Sequence, residues 1–353
     1  MAAAWARLVH AAGMLAGREE AAGPTVMHAS RLGRAVPGTT AALLGNLSVR
    51  RELGKVGTQS DIHLHDLKEG GREVTVIVPD RYPDNVKALS YALCGADTAV
   101  LVVEKLSAQI GEQILGADAI GLAHGIIVLQ NYLQPEQLKP LLKGTSLEAW
   151  PILTEEDWPK VRAHLATSPK RPDGSFVMVP IDHHFNVKGV GAVILGVVKQ
   201  GVLRKGETLY AYPDKVICPI RSIQIHDVDH DSAVPGDRVG LALRNTPPEA
   251  LDRGMVLAPA DAPLKVLATG GAITARLRRS PFSKQPLKAG AVVQLGLGMQ
   301  FVPVRLTADL PGPGQEGTLQ GTVEKGLVHA SGERAILWHV DATPQRVVGA
   351  LTL

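Results

Sequence analysis

The sequence predicts an α/β domain built on a parallel sheet, followed by two small β-barrels. Three observations predict it. Continuous apolar runs recur in the first half, with helical patterns between them. The texture changes near Trp158–Gly174, where Ser168-Pro169-Lys170-Arg171-Pro172-Asp173-Gly174 has the composition of a linker or turn. Beyond it, short strand patterns punctuated by glycine and proline continue almost to the last residue.

The apolar runs are Val74–Val78, Ala99–Val103 and Gly125–Leu129. Each is continuous rather than alternating, which suits strands buried on both faces of a parallel sheet. Helical patterns lie around Asp84–Leu93 and Ala108–Leu122. Strand, helix, strand, helix, strand is the order of an α/β domain with right-handed crossovers. After the linker, Phe176–Ile181, Gly191–Val198, Glu207–Tyr212, Ile217–His226 and Arg238–Leu243 read as barrel strands, with Gly201, Gly206, Pro213, Gly236 and Asp237 at the turns. A second set comes after Ala262: Ala272–Leu277, Ala291–Leu297, Phe301–Leu306, Gly317–Val323 and Ala335–Val340. The expected division is an extension over 1–24, the α/β domain over 25–167, and barrels over 175–262 and 263–353.

Composition is consistent with this plan. A chain of 353 residues has room for two or three domains. With 45% hydrophobic and 20% charged residues it is neither disordered nor fibrous, and with 4% aromatics its cores must be aliphatic. Two cysteines, Cys94 and Cys218, build no disulfide framework and no four-thiolate zinc site, which points to a reducing, cytoplasmic compartment. A net charge of +3 neither demands nor excludes nucleic acid. No stretch is apolar and long enough to span a bilayer, so no membrane partner is expected. The Ala-rich residues before Pro24 read either as a transit peptide or as an extension; Glu19 and Glu20 favour the extension.

Gly33-Arg34-Ala35-Val36-Pro37-Gly38-Thr39-Thr40 has the glycine spacing of a phosphate-binding loop. Thr39 stands where the lysine belongs, and Ala41–Leu44 would open the next helix. By itself the match reads better as a Gly-rich turn without a ligand. His226-Asp227-Val228-Asp229-His230-Asp231 is rich in metal-ligating types, but consecutive spacing rarely converges on one ion, and a solvated loop is the expectation. His63 and His65 share a strand face without a third ligand, so no metal is assigned.

The second half carries a resemblance. Ile181-Asp182-His183-His184-Phe185, the run Val187-Lys188-Gly189-Val190-Gly191-Ala192-Val193-Ile194-Leu195-Gly196 and the turn Gly201-Val202-Leu203-Arg204-Lys205-Gly206-Glu207 are similar to the opening of domain 2 in translational GTPases. Ile220-Arg221-Ser222-Ile223-Gln224, Val234–Leu241 and Arg253-Gly254-Met255-Val256-Leu257 match later signatures of that domain in the same order. From about Thr25 onward the chain resembles the EF-Tu/SelB-like elongation factors, archaeal SelB-like paralogues especially. The resemblance implies a P-loop NTPase-like α/β domain and delivery of aminoacyl-tRNA to the ribosome, with GTP and Mg²⁺ as weakly held cofactors at most and no DNA partner.

Compared motif by motif, the resemblance implies a degenerate nucleotide site at Gly33, Gly38, Thr39, Thr40, Asp80, Gln130 and Asn131. Where the family has D-x-P-G-H, this chain has Asp80-Arg81-Tyr82-Pro83-Asp84. Asp80 is kept. The glycine whose N–H meets the terminal phosphate is Pro83, which has none, and the histidine is the anion Asp84. Where the family reads guanine with N-K-x-D, the chain has Gln130-Asn131-Tyr132-Leu133, and Leu133 accepts no hydrogen bond from a base. Gln109-Ile110-Gly111-Glu112-Gln113 fits the family's Q-T-R-E-H helix start.

In domain 2 the resemblance places an aminoacyl pocket at Asp182, His183 and Arg238, with His183 in place of an arginine of fixed charge. In the last barrel it places tRNA contacts near Arg276, Arg278, Arg279 and Lys284; a charged hairpin turn is the plainer reading. No catalytic residue is assigned. A GTPase by ancestry, the protein is expected to hydrolyse GTP feebly or not at all. Three functions are compatible with these features: a translation factor with a decayed nucleotide site, a working but atypical GTPase, and an adaptor that binds neither nucleotide nor tRNA.

Overall fold

The computed structural model describes residues 37–169, Arg171 and 173–353. They form two compact units. One runs from Lys170 to Ala262 and includes Gly38; the other joins Thr39–Pro169 to Pro263–Leu353.

In the second unit a seven-stranded sheet is built from β1 (Thr39–Gly45), β2 (Lys55–Gln59), β3 (His63–Glu69), β4 (Arg72–Val78), β5 (Thr98–Val103), β6 (Gly125–Leu129) and β7 (Ile152–Leu153). Their order is β2-β3-β4-β1-β5-β6-β7. Strands β4, β1, β5, β6 and β7 run parallel, while β2 and β3 form an antiparallel edge. The helices are α1 (Val86–Gly95), α2 (Ala108–Ile120), α3 (Pro135–Leu142) and α4 (Trp158–Ala166). Asn85, Ser107 and Asp157 cap α1, α2 and α4 by accepting backbone N–H bonds from the first turn.

The three apolar runs lie within β4, β5 and β6. The expectation for Ala41–Leu44 is corrected: these residues are strand, not helix. A four-residue apolar run cannot reveal its period, and sheet pairing decides it. Ala42 and Leu44 face the core shared with α1 and α2, while Ala41 and Leu43 face the layer that α4 covers. With both faces buried, β1 shows no alternation.

The unit's C-terminal part is a closed six-stranded barrel. In the first unit, β8 (Val179–Val187), β9 (Gly191–Val197), β11 (Thr208–Tyr212), β12 (Val216–Ile225), β15 (Arg238–Leu243) and β16 (Val256–Ala258) pair in the order β11-β16-β8-β9-β15-β12, and a β11–β12 pairing closes the ring. The short strands β10 (Leu203–Arg204), β13 (Val228–His230) and β14 (Ser232–Ala233) decorate it. The C-terminal barrel has the order β18-β21-β20-β19-β23-β24, from β18 (Ala272–Arg279), β19 (Val292–Leu297), β20 (Gln300–Leu306), β21 (Glu316–Val323), β23 (Arg334–Trp338) and β24 (Val347–Thr352). Strands β17 (Leu264–Leu267) and β22 (Leu327–Ala330) pair beside it. On β18, Ile273, Ala275, Leu277 and Arg279 point inward and the residues between them outward, the period of a barrel wall.

Candidate functional site

The carboxyl ends of β1, β4, β5 and β6 form the edge at which open α/β sheets bind ligands. Asp80, Gln130 and Asn131 stand there, just past β4 and β6. The proposed phosphate loop does not. Thr39 and Thr40 begin β1, at the opposite end of a seven-residue strand, about 20 Å away at the usual rise. Both threonines are buried. Thr39 Oγ1 donates to Asp97 Oδ2 at 3.2 Å, and Thr40 donates to the same oxygen from N and Oγ1, both at 3.0 Å. Gly38 N donates to Asp237 Oδ1 at 3.2 Å within the first unit. Gly33 lies outside the described residues. The structure therefore does not bring this nucleotide set together, because the match to loop spacing falls before β1 rather than after it.

The connection from β1 to β2 is short. Gly45 leads to Asn46, which caps a 3₁₀ helix over Leu47–Leu53 by accepting from Ser48 N, and β2 begins at Lys55. The amides of this turn are used within the fold. Gly45 N donates to Gln113 Oε1 at 2.6 Å and Asn46 N to Val102 O at 2.9 Å. A Cβ on Gly45 would lie 1.9 Å from Val102 O, and its φ is +80°, so only glycine fits this turn. Asn46 Nδ2 donates to Gln130 Oε1 at 2.9 Å and Asn131 Nδ2 to Glu104 O at 3.2 Å. Asp80 accepts from Arg50 Nη1, with His63 Nδ1 at 3.5 Å. Burial lowers the His63 pKa; Asp80 opposes that, and Arg50 and Arg81 add to it.

In the first unit the expected pocket residues do meet. Asp182 lies on β8, and its Oδ1 accepts from His183 Nδ1 at 2.6 Å and from Arg238 Nη2 at 3.1 Å. Burial pushes the Asp182 pKa up, but Arg238 and His183 outweigh it and leave the carboxyl below its ordinary value. A fourth residue completes the cluster. Arg253 Nε donates to Asp182 O at 2.7 Å, and Arg253 Nη2 lies 3.1 Å from His183 Nε2. With Nδ1 donating to the carboxylate and Nε2 accepting from the guanidinium, this network suits the Nδ1–H tautomer of His183. The His183 ring also stacks on Phe185, centroids 6.1 Å apart. Arg253 belongs to a motif visible in the sequence, but nothing in that motif shows that it pairs alongside β8, next to Asp182 and His183.

The basic run on β18 is differently disposed. Arg276 pairs with Glu316 at 2.6 Å and Arg278 with Asp118 at 2.8 Å. Arg279 is buried and donates to Pro311 O, Ser283 O and Gln285 O, stapling two loops. Lys284 is exposed. Among the described residues no group of three or more His, Cys, Asp or Glu is arranged to hold a metal.

The described residues thus form a largely parallel sheet with its helices, a barrel holding an Asp-His-Arg-Arg cluster, and a second closed barrel. Residues 191–258 match the family model of Elongation factor Tu domain 2. An uncharacterized protein of Methanocaldococcus jannaschii, MJ0325, is 37% identical over 267 residues, 75% of this chain and 85% of that protein. The Selenocysteine-specific elongation factor of the same organism is 34% identical over 137 residues, 39% of this chain and 29% of its own length. Elongation factor 1-alpha of Pyrococcus woesei is 26% identical over 266 residues, 64% of this chain and 62% of its own length. The matches thus span less than two thirds of these named factors. Among solved structures, elongation factor SelB from Methanococcus maripaludis, in complex with the GTP analogue GPPNHP, superposes with a TM-score of 0.76 at 22% identity, covering 90% of this chain and 79% of that one. The chain belongs to one family with MJ0325, carries an Elongation factor Tu domain 2 over residues 191–258, and shares the fold of SelB.

Proposed function

We propose that this chain is an EF-Tu/SelB-type translation factor that binds aminoacyl-tRNA, the ribosome or both, and whose nucleotide site has decayed. One observation carries the reading: β1 passes through Asn46 straight into a 3₁₀ helix, with no lysine in the turn and its first two amides bonded to Gln113 and Val102. The residues around the carboxyl edge do not fit GTP and Mg²⁺. Arg50 sits on the Asp80 carboxylate, Pro83 has no N–H to give, and Leu133 offers a base no acceptor. Each lost contact costs on the order of a few kcal/mol of affinity or transition-state stabilisation.

Binding of charged tRNA rests on Asp182, His183, Arg238 and Arg253 as the aminoacyl pocket. His183 stands where the SelB-like factors have an arginine, which argues against a pocket specialised for selenocysteine. Arg276, Arg278 and Lys284 are the proposed tRNA contacts; Arg276 and Arg278 would exchange their carboxylates for phosphates, while Arg279, expected as a contact but buried, shapes the loop that carries Lys284. The pairing of those arginines within the fold favours a second reading, an adaptor without tRNA. Calorimetry with GTP, GDP and ATP in Mg²⁺ tests the decayed site: no heat of binding is expected, and micromolar binding of GTP would restore the atypical GTPase.

A further inference from the structure

The α/β body and the C-terminal barrel meet along α1 and α2, and the seam is built as a core. Met299, Ile336, Trp338, Val347 and Ala350 of the barrel belong to the same apolar cluster as Leu89, Leu93 and Ile114. Trp338 is fully buried and its Nε1 donates to Ser90 Oγ at 3.2 Å. Gly296 lets the two backbones approach, since a Cβ there would lie 2.0 Å from Ser90 Oγ. Cys94 Sγ lies 3.5 Å from Gly296 O.

At one margin of this core a buried carboxylate is clasped. Glu112 on α2 is 2% exposed. Its Oε1 accepts from Arg346 N at 2.6 Å and Nε at 3.0 Å, and its Oε2 accepts from Arg346 Nη2 at 2.6 Å and Tyr82 OH at 2.9 Å. The third guanidinium nitrogen, Nη1, donates to Pro83 O at 2.9 Å, and the guanidinium lies 5.5 Å from the Tyr82 ring centroid. Arg346 immediately precedes β24. One barrel residue therefore holds both a helix of the α/β body and Tyr82-Pro83, in the segment just past Asp80.

We infer that the Arg346–Glu112–Tyr82 clasp makes the α/β body and the C-terminal barrel one permanent body, and fixes the Asp80–Asp84 segment in a single position whatever nucleotide is present. Glu112 is buried at the margin of an apolar seam, while Arg346 keeps partial access to water. A small opening that parts the forked pair leaves the carboxylate without its partner before water reaches it, so a partly open intermediate is disfavoured. The segment beside Asp80 cannot shift without releasing Tyr82 from Glu112 and Pro83 from Arg346. The device converts a sheet edge that could respond to a ligand into a fixed one.

The native thiols report on it. Cys94 lies at the seam, while Cys218 is buried in the core of the other unit's barrel and serves as an internal control. The reaction of Cys94 with a thiol reagent is followed by mass spectrometry in the full chain, alone and with Mg²⁺ and GTP or GDP. The expected rate is the same in all three conditions, and Glu112→Gln raises it about tenfold or more while Cys218 and the circular dichroism spectrum stay unchanged. Arg346→Lys, which keeps the charge and loses the fork, gives a smaller rise. A several-fold change in the wild-type rate on adding nucleotide overturns the inference, as does a folded Glu112→Gln protein with the wild-type rate. Where Glu112→Gln fails to fold, Arg346→Lys supplies the comparison, and a folded Arg346→Lys protein with the wild-type rate overturns the inference.

Discussion

Arg50 donates to the carboxylate of Asp80, so the acid retained at the end of β4 is neutralised by the chain's own 3₁₀ helix. His63 shares this cluster, and its pKa is lowered by burial first, with Arg50 and Arg81 contributing. Removing the Arg50 charge while leaving Asp80 must favour imidazolium. In Arg50→Ala the His63 pKa should rise, read from its ring C–H resonances in an NMR titration. A further fall would mean that the pairing is not formed in solution.

The seam predicts stability effects. Arg346→Ala would leave the Glu112 carboxylate buried without its partner, a change that costs about 3–5 kcal/mol in comparable pairs. Gly296→Ala would force a methyl onto Ser90 Oγ and should cost about 1–3 kcal/mol. Urea unfolding followed through the fluorescence of the α/β–barrel unit measures both. A cost near zero for Gly296→Ala would show that the barrel does not approach α1 as described.

Two stacked histidines predict a pH dependence. His124 and His164 are stacked, with ring centroids 4.3 Å apart and nearly parallel planes. His124 Nδ1 is 2.8 Å from Thr98 Oγ1, and His164 Nε2 is 2.8 Å from Gly125 O. Burial lowers both pKa values; for His124 the His164 and Arg72 charges add to it. The folded state thus binds fewer protons than the unfolded one below the ordinary pKa of 6.5. Stability contributed by the pair is complete above that value and is lost as pH falls toward the folded pKa. His124→Phe with His164→Phe should flatten the stability profile below about pH 6.5. An unchanged slope would contradict the assignment.

Arg253 predicts a specificity effect. Arg253→Ala removes the donors to Asp182 O and His183 Nε2 and frees the imidazole to turn. The preference for charged over uncharged tRNA should fall about tenfold, the effect of one lost charge-assisted contact. Filter binding of the two tRNA forms measures it, and an equal loss for both would place Arg253 outside the aminoacyl pocket.

Much of the fold was legible because burial on both faces leaves a mark. Val74–Val78, Ala99–Val103 and Gly125–Leu129 are apolar without alternation, and strands of a covered parallel sheet must be. Strand β1 was not legible: Thr-Thr-Ala-Ala-Leu-Leu reads equally as a helix start, and a glycine spacing before it drew the phosphate loop to the wrong end of the sheet. Asp182 and Arg238 were legible through motif order, and they do meet. Arg50, Glu112 and Arg346 were not, since each acts on a partner at least 30 positions away, and charge type alone does not choose among partners at that distance.

The account is tested most directly by binding aminoacyl-tRNA to the full chain at low salt, with and without GTP and Mg²⁺. It predicts tighter binding of charged than of uncharged tRNA, a steep loss of affinity as salt rises, and the same affinity whether or not nucleotide is present. No binding of charged tRNA at low salt, or binding that appears only when GTP is added, would contradict it.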